Sequence, residues 1–301
     1  MKNLLILLCF LPLYQVNAQI DADAFKQLQL LEAEMQGLAK TLLLDSIQEN
    51  RLLANQTLKV KMEEALNIEG SFDYPFDSLV NLSFQYPDDR SFRIITWQLY
   101  VDLEDYRYAG YIQTNAAKPQ VTPLKDQSKT VEDPEYDVLD GANWFGGVYY
   151  KLMQFKHSKG QRYLLFGYNG YKLFHKRKFV DVLYFENGQA VFGDDVFQSD
   201  QPNRPDLAKS RMVMTYSAET MVKLNYDENL DIIIFDNLIA GAGSLPGQGP
   251  VMVPDGSYSG YRLKKGNWVF VEKIFDHIYE TTPRPHPILN GRRGKNVFGN
   301  R

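Results

Sequence analysis

The sequence predicts an α+β protein: an N-terminal helical hairpin followed by a large antiparallel β-meander that closes as a sandwich or partial barrel. Three observations predict it. Between Asp23 and about Asn67 the apolar residues recur at three- and four-residue steps, the spacing of one helix face. Beyond Gly70 the repeat falls to about two, in segments rich in Tyr, Phe, Val and Ile. Short Gly and Asn turns such as Glu186-Asn187-Gly188 and Lys265-Gly266-Asn267 separate those segments, so that neighbours in sequence are expected to pair antiparallel.

The helical stripe comes first. Phe25, Leu28, Leu31, Met35, Leu38 and Leu42 share one face, with Gln27, Glu34 and Lys40 opposite. Ser46 and Glu49 have the spacing of a capping box, which predicts a second helix from near Ile47 that carries Ala54, Leu58, Met62, Ala65 and Leu66 and stops at Gly70. Each stripe lasts under four heptads. The pair is therefore expected to pack on the body of the protein and not to form a coiled-coil arm.

Strands are predicted near residues 82–86, 92–99, 106–113, 146–156, 162–168, 179–185, 189–192, 212–216, 221–226, 231–235, 258–263 and 268–273. Three long polar connections, 114–143, 199–210 and 240–257, interrupt them. Connections of that length commonly carry function.

Composition narrows the class. The 301 residues are 44% hydrophobic with a formal charge of −4, which supports a packed core and excludes a disordered or collagen-like chain. Lys2, the apolar run from Leu4 to Leu13 and Gln15-Val16-Asn17-Ala18 have the pattern of a secretory signal peptide cut after Ala18. The expected divisions are a signal peptide at 1–18, a helical segment at 19–70, a β-rich domain at 71–280 and a basic, flexible tail at 281–301. The single cysteine, Cys9, lies in the leader, so the mature chain has no thiol and no thiol catalysis. No other apolar run is long enough to cross a bilayer. The expected location is periplasmic, cell-surface or extracellular. A net negative body without a basic stripe speaks against nucleic acid.

Catalytic motifs are lacking. There is no H-E-x-x-H, G-x-S-x-G, S-x-x-K or Walker A sequence, and Gly256-Ser257-Tyr258-Ser259-Gly260 places Tyr where a nucleophile elbow needs Ser. His157, His175, His277 and His286 are far apart and read as surface residues, so neither a metal nor another cofactor is expected. The catalytic candidates are Asp194, Asp195, Asp236 and Asp255, which fall at strand ends where two carboxylates could meet as the acid–base pair of a glycosidase. Trp144, Tyr168 and Tyr171 are candidates for an aromatic platform under a sugar ring. Trp97 is in phase with Ile95 and Leu99 and belongs in the core, whereas Trp144 ends a long polar connection and is expected at the surface. The Gly-rich run Gly241–Pro250 has prolines where a phosphate loop needs donors, and reads as a cover or partner-binding loop.

The segments Phe92-Arg93-Ile94-Ile95-Thr96-Trp97, Asn143-Trp144-Phe145-Gly146, Tyr163-Leu164-Leu165-Phe166-Gly167, Asp181-Val182-Leu183-Tyr184-Phe185 and Asp255-Gly256-Ser257-Tyr258 are similar to a group of exported bacterial proteins without an assigned activity. The resemblance spans about residues 90–273 and implies export and a β-rich body, with no catalytic residues to carry over. The expected function is a non-enzymatic exported protein that binds a protein partner or a glycan at the cell envelope through its long connections. The alternative is a carbohydrate-directed hydrolase that uses the strand-end carboxylates.

Overall fold

A computed structural model describes residues 20–116, 119–199, 208–244 and 248–274. The expected signal peptide with Cys9, the basic tail, His277 and His286 lie outside the described residues.

Helix α1 (Ala22–Leu44) starts where the Asp21 carboxylate accepts the amides of Asp23 and Ala24. Helix α2 (Gln48–Leu66) starts without the expected capping box, since no side chain caps it. Asp45 organises the turn instead. Its carboxylate accepts the Ile47 amide at 2.7 Å and the Asn50 side chain at 3.2 Å, a local Asx turn that outcompetes Ser46. Gly70 ends the hairpin at φ +77°, a backbone shape that costs glycine least.

Fifteen strands follow among the described residues, in three sheets. The first sheet is β1 (Ser83–Gln85), β2 (Phe92–Asp102), β3 (Asp105–Thr114) and β4 (Val121–Lys125), side by side in chain order. The second contains β5 (Leu139–Asp140), β6 (Val148–His157), β7 (Gly160–Asn169), β8 (His175–Glu186) and β9 (Gln189–Phe192). After β10 (Phe197–Gln198), β11 (Met212–Ser217) returns to the second sheet and pairs with the first half of β8, beside β9 on the second half. The third sheet joins β10 to β12 (Leu224–Asp227), β13 (Ile232–Ala242), β14 (Pro250–Lys264) and β15 (Asn267–Val271). Every strand pairing is antiparallel except β10 with β15.

Alternation along the strands stacks these pieces into four layers. Ile95, Trp97, Leu99 and Val101 of β2 point to the helices and meet Leu28, Met35, Leu58 and Met62. The intervening Phe92 and Ile94 point the other way, into a core shared with Tyr149, Leu165, Phe179 and Leu183 of the second sheet. That sheet turns Leu164, Phe166, Val180 and Val182 to Ile233, Phe235 and Trp268 of the third. The first two sheets are thus buried on both faces, and the helices cap the stack. Arg51 fixes them: its guanidinium donates to the carbonyls of Tyr100 at 2.7 Å and Val101 at 2.6 Å, while Asn55 accepts the Trp97 indole N–H at 2.9 Å. Arg93, fully buried, ties the end of the hairpin to β2 by donating to the Ser71 and Tyr74 carbonyls and to Gln113.

Two of the expected long connections contain strand, the first in short pieces and the third for most of its length. Residues 121–125 form β4, and much of 240–257 continues the β13–β14 hairpin, with Ala242 opposite Pro250.

Candidate functional site

The structure separates the aromatic candidates. Trp144 is fully buried, which corrects its expected exposure. Its backbone is held between Lys125 and Gln127, and its indole N–H donates to the Tyr149 hydroxyl at 2.8 Å inside the core between the first two sheets. Tyr168 alternates with Leu164 and Phe166 and faces the third sheet, on the opposite side of β7. Tyr171, half-buried, lies under the Arg177 guanidinium, 3.5 Å from its ring centre. These three residues form no shared platform.

The four carboxylates divide as well. Asp194 is buried and pairs with Arg162 at 2.7 Å, with Lys159 and His157 each at 3.9 Å, which ties the β6–β7 turn to the segment after β9. Asp195, exposed, accepts the Ser210 hydroxyl at 2.7 Å. Asp236 and Asp255 do come together, along one cleft of about 670 Å³ beside β11 that Met212, Met214, Leu238, Met252 and Tyr261 also line. A break in pairing builds this wall: Asp236 faces Tyr258 but Leu238 faces Pro254, so Asn237 stands against three residues, Asp255 to Ser257. Asn237 donates to the Ser257 hydroxyl at 2.8 Å, and that hydroxyl and the Ser257 amide each donate to Asp255 at 2.7 Å. These two hydrogen bonds hold the Asp255 carboxyl below the usual carboxylate range. Asp236 is buried and accepts the Lys223 amide.

A second cleft of about 680 Å³ lies between α2 and the β3–β4 edge, and sequence reasoning missed it. Residues 125–130, from the first long connection, form one wall; Asn55, Gln56 and Lys59 of α2 form the other. Lys59, Arg107, Lys125 and Lys129 surround it, against one inner carboxylate, Asp126. Arg107 and Lys129 share Asp105, at 3.0 and 2.6 Å. Asp126 accepts the amides of Tyr108 and Ser128, each at 2.9 Å, yet burial pushes its carboxyl above the usual range. Burial against the wall lowers the Lys59 ammonium, with Asp126 acting in the opposite sense. No sequence signal marks this site: the lysines look like an ordinary solvated helix face and turn until the fold brings them around one hollow.

Among the described residues no group of three or more His, Cys, Asp or Glu side chains is placed to hold a metal ion, and no helix is long and apolar enough to cross a membrane. The architecture of the described residues is that of a helix-capped stack of three largely antiparallel sheets, with the two clefts described above open at its surface. The chain matches no protein-family model, no curated protein and no solved structure.

Proposed function

We propose that the protein is a non-enzymatic exported binding protein that holds an acidic glycan in the cleft between α2 and residues 125–130. One observation carries the reading: a cleft of this net acidic chain is lined by four cations, of which Arg107 and Lys129 share Asp105, with half-buried Asp126 as the one carboxylate in its lining. Recognition through charge and hydrogen bonds also fits the burial of all three tryptophans, which leaves no indole for stacking. Export rests on the signal-peptide pattern of residues 1–18 and on the resemblance to exported proteins.

The hydrolase reading draws support from Asp236 and Asp255 sharing a cleft. It requires one carboxyl that keeps its proton near neutrality, and the hydrogen bonds to Asp255 act in the other direction.

A thermal-shift screen of the mature protein against acidic and neutral glycans tests the proposal. A ligand at about 100 times its Kd adds about 2.7 kcal/mol of apparent stability. Acidic glycans are expected to raise the Tm, and the rise is expected to shrink in Lys59→Gln and Lys125→Gln. If no acidic glycan moves the Tm, or if neutral ones act equally, the reading fails.

A further inference from the structure

Three of the chain's eight methionines, Met212, Met214 and Met252, line the cleft beside β11. Alternation turns all three to the same side. Val213 packs against the core between the first two sheets, so its neighbours Met212 and Met214 face the other way, into the core shared with the third sheet. On the third sheet Leu238 pairs with Pro254 and Ala240 with Met252, two steps apart on one face. Leu238 packs against the core that contains Met212 and Met214, which turns Met252 toward them as well. Strands β11 and β14 lie against each other, so the thioethers border one hollow from two walls.

Methionine often serves as an adaptable filler of gaps. Met212 and Met214 are buried, but Met252 keeps 36% of its surface exposed and the cleft that the three line, about 670 Å³, stays open. Filling alone does not account for them.

Their chemistry points to a ligand class. A thioether is a neutral, soft donor, and soft sulfur donors select Cu(I) over the hard ions that carboxylates prefer. Cys9 is the only cysteine, so thioethers are the softest donors in the rest of the chain. Residues two apart on a strand stand about 7 Å apart, within reach of two flexible side chains that converge on one ion. The charge of the walls suits a cation. Glu135, Asp236, Asp255 and Glu272 line the cleft against Lys209 and Lys273, and Lys209 is paired with Glu135 at 3.0 Å.

We propose that the cleft beside β11 holds one soft monovalent metal ion, Cu(I) or its analogue Ag(I), through the thioethers of Met212, Met214 and Met252. This reading is independent of the cationic cleft and its glycan.

Calorimetric titration with Ag(I), which is redox-inert, tests it on protein carrying Cys9→Ser, so that no thiol competes. The expected result is one Ag(I) per chain, with no comparable binding of Zn(II). Met214→Leu and Met252→Leu are each expected to weaken binding about tenfold or more. Met252 is partly exposed, so its replacement leaves the core intact. Met221→Leu, at a position 95% exposed and outside the cleft, is expected to change nothing. A thioether loses no proton on binding, so the affinity should hold from about pH 7.5 to about pH 5.5, whereas an imidazole site weakens as pH falls through about 6.5. The ε-methyl NMR signals of Met212, Met214 and Met252 should move during the titration while those of Met35 and Met62 stay in place. Absence of stoichiometric Ag(I) binding overturns the proposal. So does binding that survives both leucine variants with circular dichroism unchanged, that fades with falling pH, or that Zn(II) matches.

Discussion

Arg211 and Asp181 form an ion pair at 2.9 Å in which neither side chain has any exposed surface. Asp181 also accepts the Tyr149 hydroxyl at 3.3 Å and the Val182 amide at 2.9 Å, while the Arg211 guanidinium reaches the Pro134 carbonyl at 2.5 Å and stacks over Phe145. The pair therefore connects three separated stretches: β8, the start of β11 and the connection before β5.

Removing one partner leaves an uncompensated charge in the core. Asp181→Asn or Arg211→Met is expected to cost about 3–5 kcal/mol in urea unfolding. The double variant should cost clearly less than the sum of the two, and additive losses would show that the ions do not act as a pair.

All three tryptophans, Trp97, Trp144 and Trp268, are fully buried. Emission is expected at short wavelength, with little quenching by iodide or acrylamide. Trp144→Ala should cost about 3–5 kcal/mol, the range for emptying a large aromatic site. Strong quenching in the folded protein would contradict the buried placement.

Gly146 has φ +74°, and a Cβ added there would lie 2.2 Å from an Asp126 carboxylate oxygen and 3.2 Å from the Tyr108 ring. Gly146→Ala combines backbone strain with displacement of a carboxylate that holds two amides, and is expected to lose about 2–3 kcal/mol. Thermal unfolding checks it. Asp126→Asn in the same background should cost less than it does in the wild type, because the contact is already broken.

Burial raises the phenols of Tyr111, Tyr216 and Tyr226 from 10.0 to about 12, helped at Tyr111 by Glu63, at Tyr216 by Tyr168 and at Tyr226 by its hydrogen bond to Asp231. Above pH 10 the unfolded chain releases these protons before the folded one does. The folded state then holds more protons, so stability falls as pH rises. The contribution is complete below pH 10 and is lost through about pH 12. Absorbance near 295 nm should show these phenols ionising together with unfolding; their titration near pH 10 in the intact fold would contradict the burial.

Much of the fold was legible because the first two sheets and the helices follow simple periods. The rest depended on context that a single segment does not carry. Residues 121–125 read as loop since Pro123 interrupts them, yet β4 is an edge strand, where a missing donor costs least. The expected strand over 221–226 starts later, at Leu224, and Met221 is 95% exposed. Strands β5 and β10 have two residues each, too few to show a period. Trp144 ends a polar stretch, and its burial comes from a sheet assembled from later residues. The pairing of Asp236 with Asp255 across one cleft was visible only as two strand-end acids. The cationic cleft was not visible at all, because Lys59 and Lys125 are brought together by the docking of α2 on the first sheet.

The order of the layers follows the order of the chain: helices, first sheet, second sheet, third sheet. A polypeptide that leaves a ribosome or a translocation channel from its N-terminus can therefore build each layer largely before the next one arrives, with β11, which follows β10 of the third sheet, as the late addition to the second. Premature termination has a correspondingly simple outcome. A chain cut after β9 would keep the strand ladders of the first sheet and most of the second, yet leave Leu164, Phe166, Val180 and Val182 facing water, an apolar face of the kind that chaperones and proteases recognise.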